Sequence, residues 1–245
     1  MLKVRDLYVS YGDTEILRNL NLDILSGHMY VLVGPNGVGK STVLRGITNS
    51  GGRIRGSITF EMKDISGMAS HERSRLGIAY VPQEKMVFPS LTCRENLLLA
   101  LPAQLPKPIR NARLERLMTS FPTLTTLLPR LASSVSGGEA RKLSLMMALI
   151  REPGLILIDE ISIGLDRRSV QDVYEFIQAL RGRGIGIIIA EQNYQFALAV
   201  CDYVIGLRNG QVCFFDNPDH FSEEIQRALF TGAPIAAQGT INRVD

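Results

Sequence analysis

Residues 34–41 read Gly-Pro-Asn-Gly-Val-Gly-Lys-Ser, and this stretch decides the fold. The pattern is typical of a loop that binds nucleotide phosphates, and its context fits. The apolar run Met29–Val33 before it predicts a buried strand, and residues 42–47 after it are compatible with a helix. Inward-turned amides and the N-terminus of that helix would face the phosphates. We therefore predict a nucleotide site in which Lys40 reaches the β and γ phosphates and Ser41 offers a hydroxyl to Mg²⁺.

Short apolar runs and helical patterns alternate along the rest of the chain. Buried strands are predicted at 78–81, 155–158 and 185–190, and helices at 141–150 and 167–180. This alternation is typical of an α/β core with parallel strands. The N-terminal region, where apolar residues alternate with polar ones up to Ile24, predicts half-buried strands, and Asn209-Gly210 between two apolar runs predicts a hairpin.

The middle of the chain differs in character, because it is rich in leucine and interrupted by prolines. Thr92 and Glu95 form a capping box at the start of one helical segment, and residues 110–118 predict another. We expect one domain over residues 1–245. Its parts are a core at 1–85 and 154–230 that includes an antiparallel β portion, an inserted α-helical subdomain at about 86–153, and a mobile tail at 231–245.

Length and composition exclude several classes of protein. With 245 residues, 45% hydrophobic and 21% charged, the chain is expected to fold as a globular domain rather than to be disordered or fibrous. A net charge of +3 does not indicate a nucleic-acid partner. No apolar run reaches the ~18–20 residues of a membrane span, and the N-terminus does not resemble a secretory signal. The three cysteines and three histidines show no metal-binding spacing, so we expect reduced thiols and no structural zinc.

Two acidic residues end the apolar run 155–158. The carboxyl end of a parallel strand is where α/β sheets bind ligands, so both acids are candidates for the phosphate site. Successive strand residues point to opposite sides, and we therefore expect different roles: Asp159 near the metal, and Glu160 polarising the attacking water. The alternative for Asp159 is that it only caps the following turn.

Ser136-Gly137-Gly138-Glu139 precedes a helix and fits a capping box. A glycine-opened helix N-terminus also favours an anion, and a second subunit could supply the phosphate that it faces. Through these motifs the sequence resembles the ATP-binding-cassette (ABC) ATPases over nearly its whole length. The resemblance implies a P-loop NTPase (RecA-like) mixed-sheet core, and it implies that ATP lies between the phosphate loop of one cassette and the Ser-Gly-Gly signature of another.

The resemblance also assigns roles to residues. Those expected to contact ATP are Tyr11, Gly34, Pro35, Asn36, Gly37, Val38, Gly39, Lys40, Ser41, Thr42, Gln83, Ser136, Gly137, Gly138 and Glu139. The Mg²⁺ ligands are expected to be Ser41, Gln83 and Asp159, and the catalytic residues Glu160, Lys40 and Gln192. Asp166 lies where the family has its D-loop. Tyr11 could instead be an ordinary turn aromatic, and Asp166 only a helix cap.

Three residues depart from the general family pattern. Gln192 stands where the family has a switch histidine, and it cannot carry positive charge. Ile161 stands where a proline usually follows the catalytic glutamate, and Glu139 replaces the commoner glutamine and adds a negative charge near a phosphate. From Gln192 we expect slow or asymmetric turnover at the site built on this phosphate loop, with a partner cassette supplying a histidine-bearing site.

A finer resemblance rests on residues 87–92, 95–97 and 190–193, which look like those of importer cassettes for branched-chain amino acids and for urea or amides. It implies a second cassette, two integral membrane permease subunits, indirect cooperation with a periplasmic solute-binding protein, and a peripheral position at the cytoplasmic face of the inner membrane. One alternative is a soluble ABC ATPase of the iron-sulfur assembly type. Another is a cassette that binds ATP but barely hydrolyses it, and a DNA-repair cassette is disfavoured because the chain has no room for long coiled coils.

Overall fold

The computed structural model describes residues 1–84 and 87–234. The strands are β1 (Leu2–Tyr11), β2 (Thr14–Ile24), β3 (Met29–Val33), β4 (Arg53–Phe60), β5 (Lys63–Asp64), β6 (Ile78–Val81), β7 (Leu155–Asp159), β8 (Gly186–Ala190), β9 (Tyr203–Arg208) and β10 (Gln211–Asp216). The helices are α1 (Lys40–Thr48), α2 (Ser70–Arg75), α3 (Cys93–Ala100), α4 (Lys107–Ser120), α5 (Gly137–Leu149), α6 (Arg167–Gln178), α7 (Gln195–Leu198) and α8 (Glu223–Thr231). None of these helices is long and apolar enough to cross a bilayer.

The strands form two sheets. The larger has the order β10-β9-β3-β8-β7-β6, in which all neighbours are parallel except the β9–β10 hairpin. The smaller sheet is antiparallel, with the order β2-β1-β4-β5. A mixed α/β core with an antiparallel β portion is the predicted fold class, and it is confirmed.

The larger sheet is buried on both faces, and the side chains of β3 alternate between two hydrophobic cores. Met29, Val31 and Val33 belong to the core that contains residues of α3 to α6. Tyr30 and Leu32 belong to the other core, with apolar residues of β1, β2 and α1. This burial on both faces explains why the sequence of β3 is continuously apolar rather than alternating.

Two predictions from local sequence are confirmed, the helix cap at Thr92 and the hairpin at Asn209-Gly210. The Thr92 hydroxyl accepts a hydrogen bond from the Glu95 amide at 3.2 Å and so caps α3, and α3 to α5 follow one another between β6 and β7. Asn209 and Gly210 have φ of 51° and 74°, the left-handed pair that a two-residue hairpin requires. The expected tail is partly wrong, since Thr231 still belongs to α8; residues 235–245 lie outside the described residues.

Candidate functional site

Four predicted motifs meet at one edge of the larger sheet. Strands β3, β8, β7 and β6 are parallel neighbours, so their carboxyl ends lie side by side. The phosphate loop follows β3, Gln83 follows β6, Glu160 follows β7 and Gln192 follows β8. The loops after the strands are tied to one another, because the Glu160 amide donates to the Ala190 carbonyl at 2.8 Å.

The phosphate loop has the backbone that its glycines permit. Gly39 has φ of 111°, and a Cβ at this position would lie 2.7 Å from the Leu17 Cδ2 atom. A Cβ on Gly34 would lie 2.5 Å from the Leu207 carbonyl oxygen. Helix α1 begins at Lys40, so its first amides, which have no partner within the helix, lie at the end of the loop. The arrangement suits an anionic ligand.

Lys40 is 6% exposed and lies inside the loop. Its Nζ atom donates hydrogen bonds to the carbonyls of Gly34 at 2.8 Å and Pro35 at 3.1 Å. Burial lowers the pKa of this ammonium, and the negative charges of Glu160 and Asp159 oppose the shift. These contacts hold a cation among the loop glycines, where phosphate oxygens could replace the two carbonyls as its partners.

Asp159 is 1% exposed and joins two elements. Its Oδ1 atom accepts a hydrogen bond from the Ser41 hydroxyl at 2.8 Å, and its Oδ2 atom accepts one from the Tyr80 hydroxyl at 3.0 Å. Burial, with the charge of Asp159, raises the pKa of Tyr80 to about 12. A hydroxyl and a carboxylate held together are ligands that Mg²⁺ prefers alongside phosphate oxygens, so Ser41 and Asp159 fit that ion.

Glu160 differs from its predicted conformation. Strand β7 ends at Asp159, and Glu160 has φ of 46°, in the left-handed region that residues with a Cβ rarely occupy. The premise that Glu160 belongs to the strand is therefore wrong, while the different roles expected for the two carboxylates stay a prediction. The turn after the strand, rather than the pleat, sets the direction of Glu160, and such backbone strain is common at functional sites.

Gln192 lines a cavity of about 740 Å³ together with Glu160, Glu191 and Arg167. The structure thus brings the predicted catalytic carboxylate and the residue in the switch position to one space. Neither Ile161 nor Glu191 faces solvent, with 0% and 1% exposure. Ile161 packs into the core shared by α3 to α6, so the turn after Glu160 is anchored by an apolar side chain.

The capping box at the start of α5 is confirmed. The Ser136 hydroxyl accepts from the Glu139 amide at 3.2 Å, and the Glu139 carboxylate accepts from the Ser136 amide at 2.7 Å. Arg130 pairs with the same carboxylate at 3.0 Å. The hydrogen bond from the Ser136 amide lowers the pKa of Glu139, and the positive charge of Arg130 lowers it further. The negative charge that Glu139 adds to the signature motif is therefore balanced by Arg130.

Three other predicted residues have no hydrogen bond to Lys40, Ser41 or Asp159 among the described residues. Tyr11 ends β1 with 38% exposure and packs beside Gly51. Gln83 is exposed, two residues beyond the end of β6. Asp166 caps α6 by accepting hydrogen bonds from the amides of Arg168 and Ser169, so the cap is present and the D-loop position stays a prediction.

Three functional candidates were not predicted from the sequence: Tyr80, Glu191 and Arg130. Each contacts a predicted site residue or its neighbouring turn through a side chain. Tyr80 and Glu191 lie on or beside buried strands, where an isolated polar residue in an apolar run is the one signal that could have identified them.

Comparison with known proteins agrees with this geometry. The ABC transporter family matches residues 17–162, which include the phosphate loop, the Ser-Gly-Gly motif and both carboxylates. The lipopolysaccharide export system ATP-binding protein LptB of Acidithiobacillus ferridurans is 32% identical, over 95% of this chain and 97% of that protein. The high-affinity branched-chain amino acid transport ATP-binding protein BraG of Pseudomonas aeruginosa is 32% identical, over 88% and 92%.

Solved structures show the same fold. The cbiO1 protein from Clostridium perfringens, described as part of the ABC transporter complex cbiONQ, is 26% identical with a TM-score of 0.81 over 93% of both chains. A nucleotide-free ATP-binding cassette from an ABC transporter has a TM-score of 0.81 over 94% of both chains at 23% identity.

Proposed function

The chain belongs to the ABC transporter family as an ATP-binding subunit, an ATPase coupled to transport, and from that premise we propose that it energises an importer for hydrophobic, branched-chain-type amino acids or for urea-like amides. Proteins of this family bind ATP, pair through their cassettes and work with membrane permease components. The specific solute and partners belong to the proposal, and so do the roles of individual residues.

The observation that supports these roles best is the convergence at the sheet edge. Lys40 lies inside the phosphate loop, and Ser41 is hydrogen-bonded to Asp159 beside it. In the proposed site Lys40 binds the β and γ phosphates, and Ser41 and Asp159 hold Mg²⁺, which would neutralise charge on the phosphates. Glu160 accepts a proton from, or orients, the attacking water.

The signature motif is proposed to act on a second cassette. Helix α5 begins at Gly137, so its first amides lie next to the Ser136 capping box and the ion pair of Arg130 with Glu139. In a pair of cassettes these amides would stabilise charge on the γ-phosphate bound to the partner's phosphate loop. Two sites would then form only when the pair closes.

A cavity of about 430 Å³ supports contact with membrane subunits. It lies between β6 and the helices α2, α3 and α5, and Phe88 and Leu99 line it. These two side chains are 50% and 53% exposed, which is unusual for large apolar residues. We propose that a short cytoplasmic helix of a permease subunit binds here, with the chain peripheral to the membrane on its cytoplasmic side.

The choice of solute rests on the segments 87–92, 95–97 and 190–193, which resemble those of amino-acid and amide importers. Relatives named for lipopolysaccharide export are as similar as the one named for branched-chain amino acid transport, each at 32% identity. Export of a lipid-linked substrate is therefore the second candidate. Uptake of labelled leucine and labelled urea by cells lacking the gene distinguishes them: loss of either uptake supports import, and normal uptake of both with a defective outer membrane supports export.

The catalytic proposal is tested with Glu160→Gln. Glutamine keeps the shape of the side chain but cannot accept the proton, so the variant should bind ATP, accumulate as a closed pair in ATP and lose turnover. Phosphate release and size-exclusion chromatography measure the two properties. Glu175→Gln, an exposed carboxylate on α6, is the control. Normal turnover in Glu160→Gln would exclude the proposed role.

A further inference from the structure

Glu191 is a buried carboxylate that accepts three hydrogen bonds from side-chain and backbone groups of the described residues. It is 1% exposed and lies directly after β8. Its Oε1 atom accepts from the Ser162 amide at 3.0 Å and from the Tyr174 hydroxyl at 3.0 Å. Its Oε2 atom accepts from the Ser162 hydroxyl at 2.8 Å. The side chain therefore joins the end of β8 to helix α6 and to the turn that follows Glu160.

That turn needs an external restraint. Glu160 occupies the left-handed region with φ of 46°, a conformation that costs energy for a residue with a Cβ. The next residue is Ile161, whose φ is not fixed by a ring as that of proline would be. The turn is restrained at one end by the Glu160 amide, which donates to Ala190, and at the other end by Ser162, which donates twice to Glu191.

We propose that Glu191 is a positioning residue for hydrolysis, which holds the 160–162 turn so that the Glu160 carboxylate faces the cavity shared with Gln192. The inference rests on the proposed catalytic role of Glu160 and adds a residue to it. Glu191 itself has its carboxylate oxygens occupied by donors from Ser162 and Tyr174, so it acts through the turn and not on the substrate.

A competing explanation is that Glu191 only neutralises Arg141. Arg141 lies on α5 with 3% exposure, and its Nε and Nη1 atoms have no hydrogen-bond partner among the described residues. Burial lowers the pKa of Arg141, and the charge of Glu191 opposes that shift. A carboxylate that merely balances this buried cation would become dispensable once the cation is removed.

The two explanations are separated by a double variant. Arg141→Met removes the buried positive charge. Glu191→Leu in the same background removes both carboxylate oxygens and puts an apolar side chain in their place. Full-length protein, alone and with its partner subunits, is assayed for melting temperature, kcat and KM for ATP. Relative to Arg141→Met alone, the double variant should melt at a lower temperature, because the donors of Ser162 and Tyr174 lose their buried acceptor. At an assay temperature where both variants are folded, its KM should stay within about twofold while its kcat falls about tenfold, because the turn is no longer held.

Unchanged kcat in a folded double variant would overturn the proposal and leave Glu191 as a counter-ion. If the double variant does not fold, Ser162→Ala with Tyr174→Phe removes two of the three donors and leaves Glu191 in place. Here we expect a smaller loss of kcat, about threefold, with unchanged KM, and unchanged kcat again overturns the proposal. Glu160→Gln tests the catalytic role of Glu160 separately from the positioning role of Glu191. If Glu160→Gln is inactive while the Glu191 variants have normal kcat, only the positioning role fails.

Discussion

Tyr80→Phe removes one of the two side-chain hydrogen bonds that the described residues donate to Asp159. The Tyr80 hydroxyl donates to Oδ2 at 3.0 Å, and the carboxylate is 1% exposed, so water cannot easily replace the lost donor. A hydrogen bond to a charged group contributes about 1.5–3 kcal/mol. For a chain of this length each kcal/mol corresponds to roughly 2–4 °C in melting temperature, so the variant should melt roughly 3–12 °C lower.

The burial of Tyr80 beside Asp159 also predicts a pH dependence. Burial raises the pKa of Tyr80 from 10.0 to about 12 in the folded protein. Because the folded pKa is the higher one, this contribution to stability is fully present below pH 10 and is lost as pH rises through 12. A difference of this size corresponds to at most about 2–3 kcal/mol, which solvent screening reduces, with about half of it lost by pH 11. The phenylalanine variant lacks this titration, so its deficit should shrink between pH 8 and pH 11.

Urea unfolding of the nucleotide-free protein at both pH values measures this effect, with calorimetry for the melting temperature. Tyr8→Phe is the matched control, because that ring lies beside the Arg55 guanidinium on the antiparallel sheet rather than beside Asp159. Equal stability of Tyr80→Phe and the unsubstituted protein at pH 8, or an equal deficit at both pH values, would refute the reasoning.

Two further predictions concern the hairpin and the switch position. Gly210→Ala should lower the stability of the protein much more than Gly182→Ala. Both glycines have a left-handed φ, which costs alanine about 1–2 kcal/mol, but only at Gly210 would the added Cβ overlap the Ile16 carbonyl. Equal urea midpoints for the two variants would contradict this. Gln192→His should raise the ATPase rate of the assembled pair, because a protonated imidazole adds the positive charge that glutamine lacks. An unchanged rate of phosphate release would show that the glutamine does not limit turnover.

Much of the fold follows from local signals in the sequence. The capping boxes at Thr92 and Ser136 and the Asn209-Gly210 hairpin depend on residues within a few positions of one another, and all three are confirmed. The uninterrupted apolar runs predicted the parallel strands for the same reason. The fold class then required only that these elements alternate.

The missed features depend on contacts between distant parts of the chain. Tyr80 meets Asp159 across 79 residues, and Glu191 meets Ser162 across 29. Arg73 is another example, because a charged residue in a short helix predicts exposure, yet it is 1% exposed and donates to the Gly46 and Ile47 carbonyls at the end of α1. No local pattern encodes such pairings. The left-handed conformation of Glu160 was missed for the same reason, since the surrounding fold imposes it.

The most direct test of transport function is affinity isolation of the chain from gently solubilised native membranes, followed by mass spectrometry. Phe88→Asp, which places a charge in the proposed docking cavity, serves as the matched variant. The proposal predicts two integral membrane subunits and a second cassette with the unsubstituted chain, and their loss with the variant. Recovery of soluble partners only, with neither form in the membrane fraction, would contradict it.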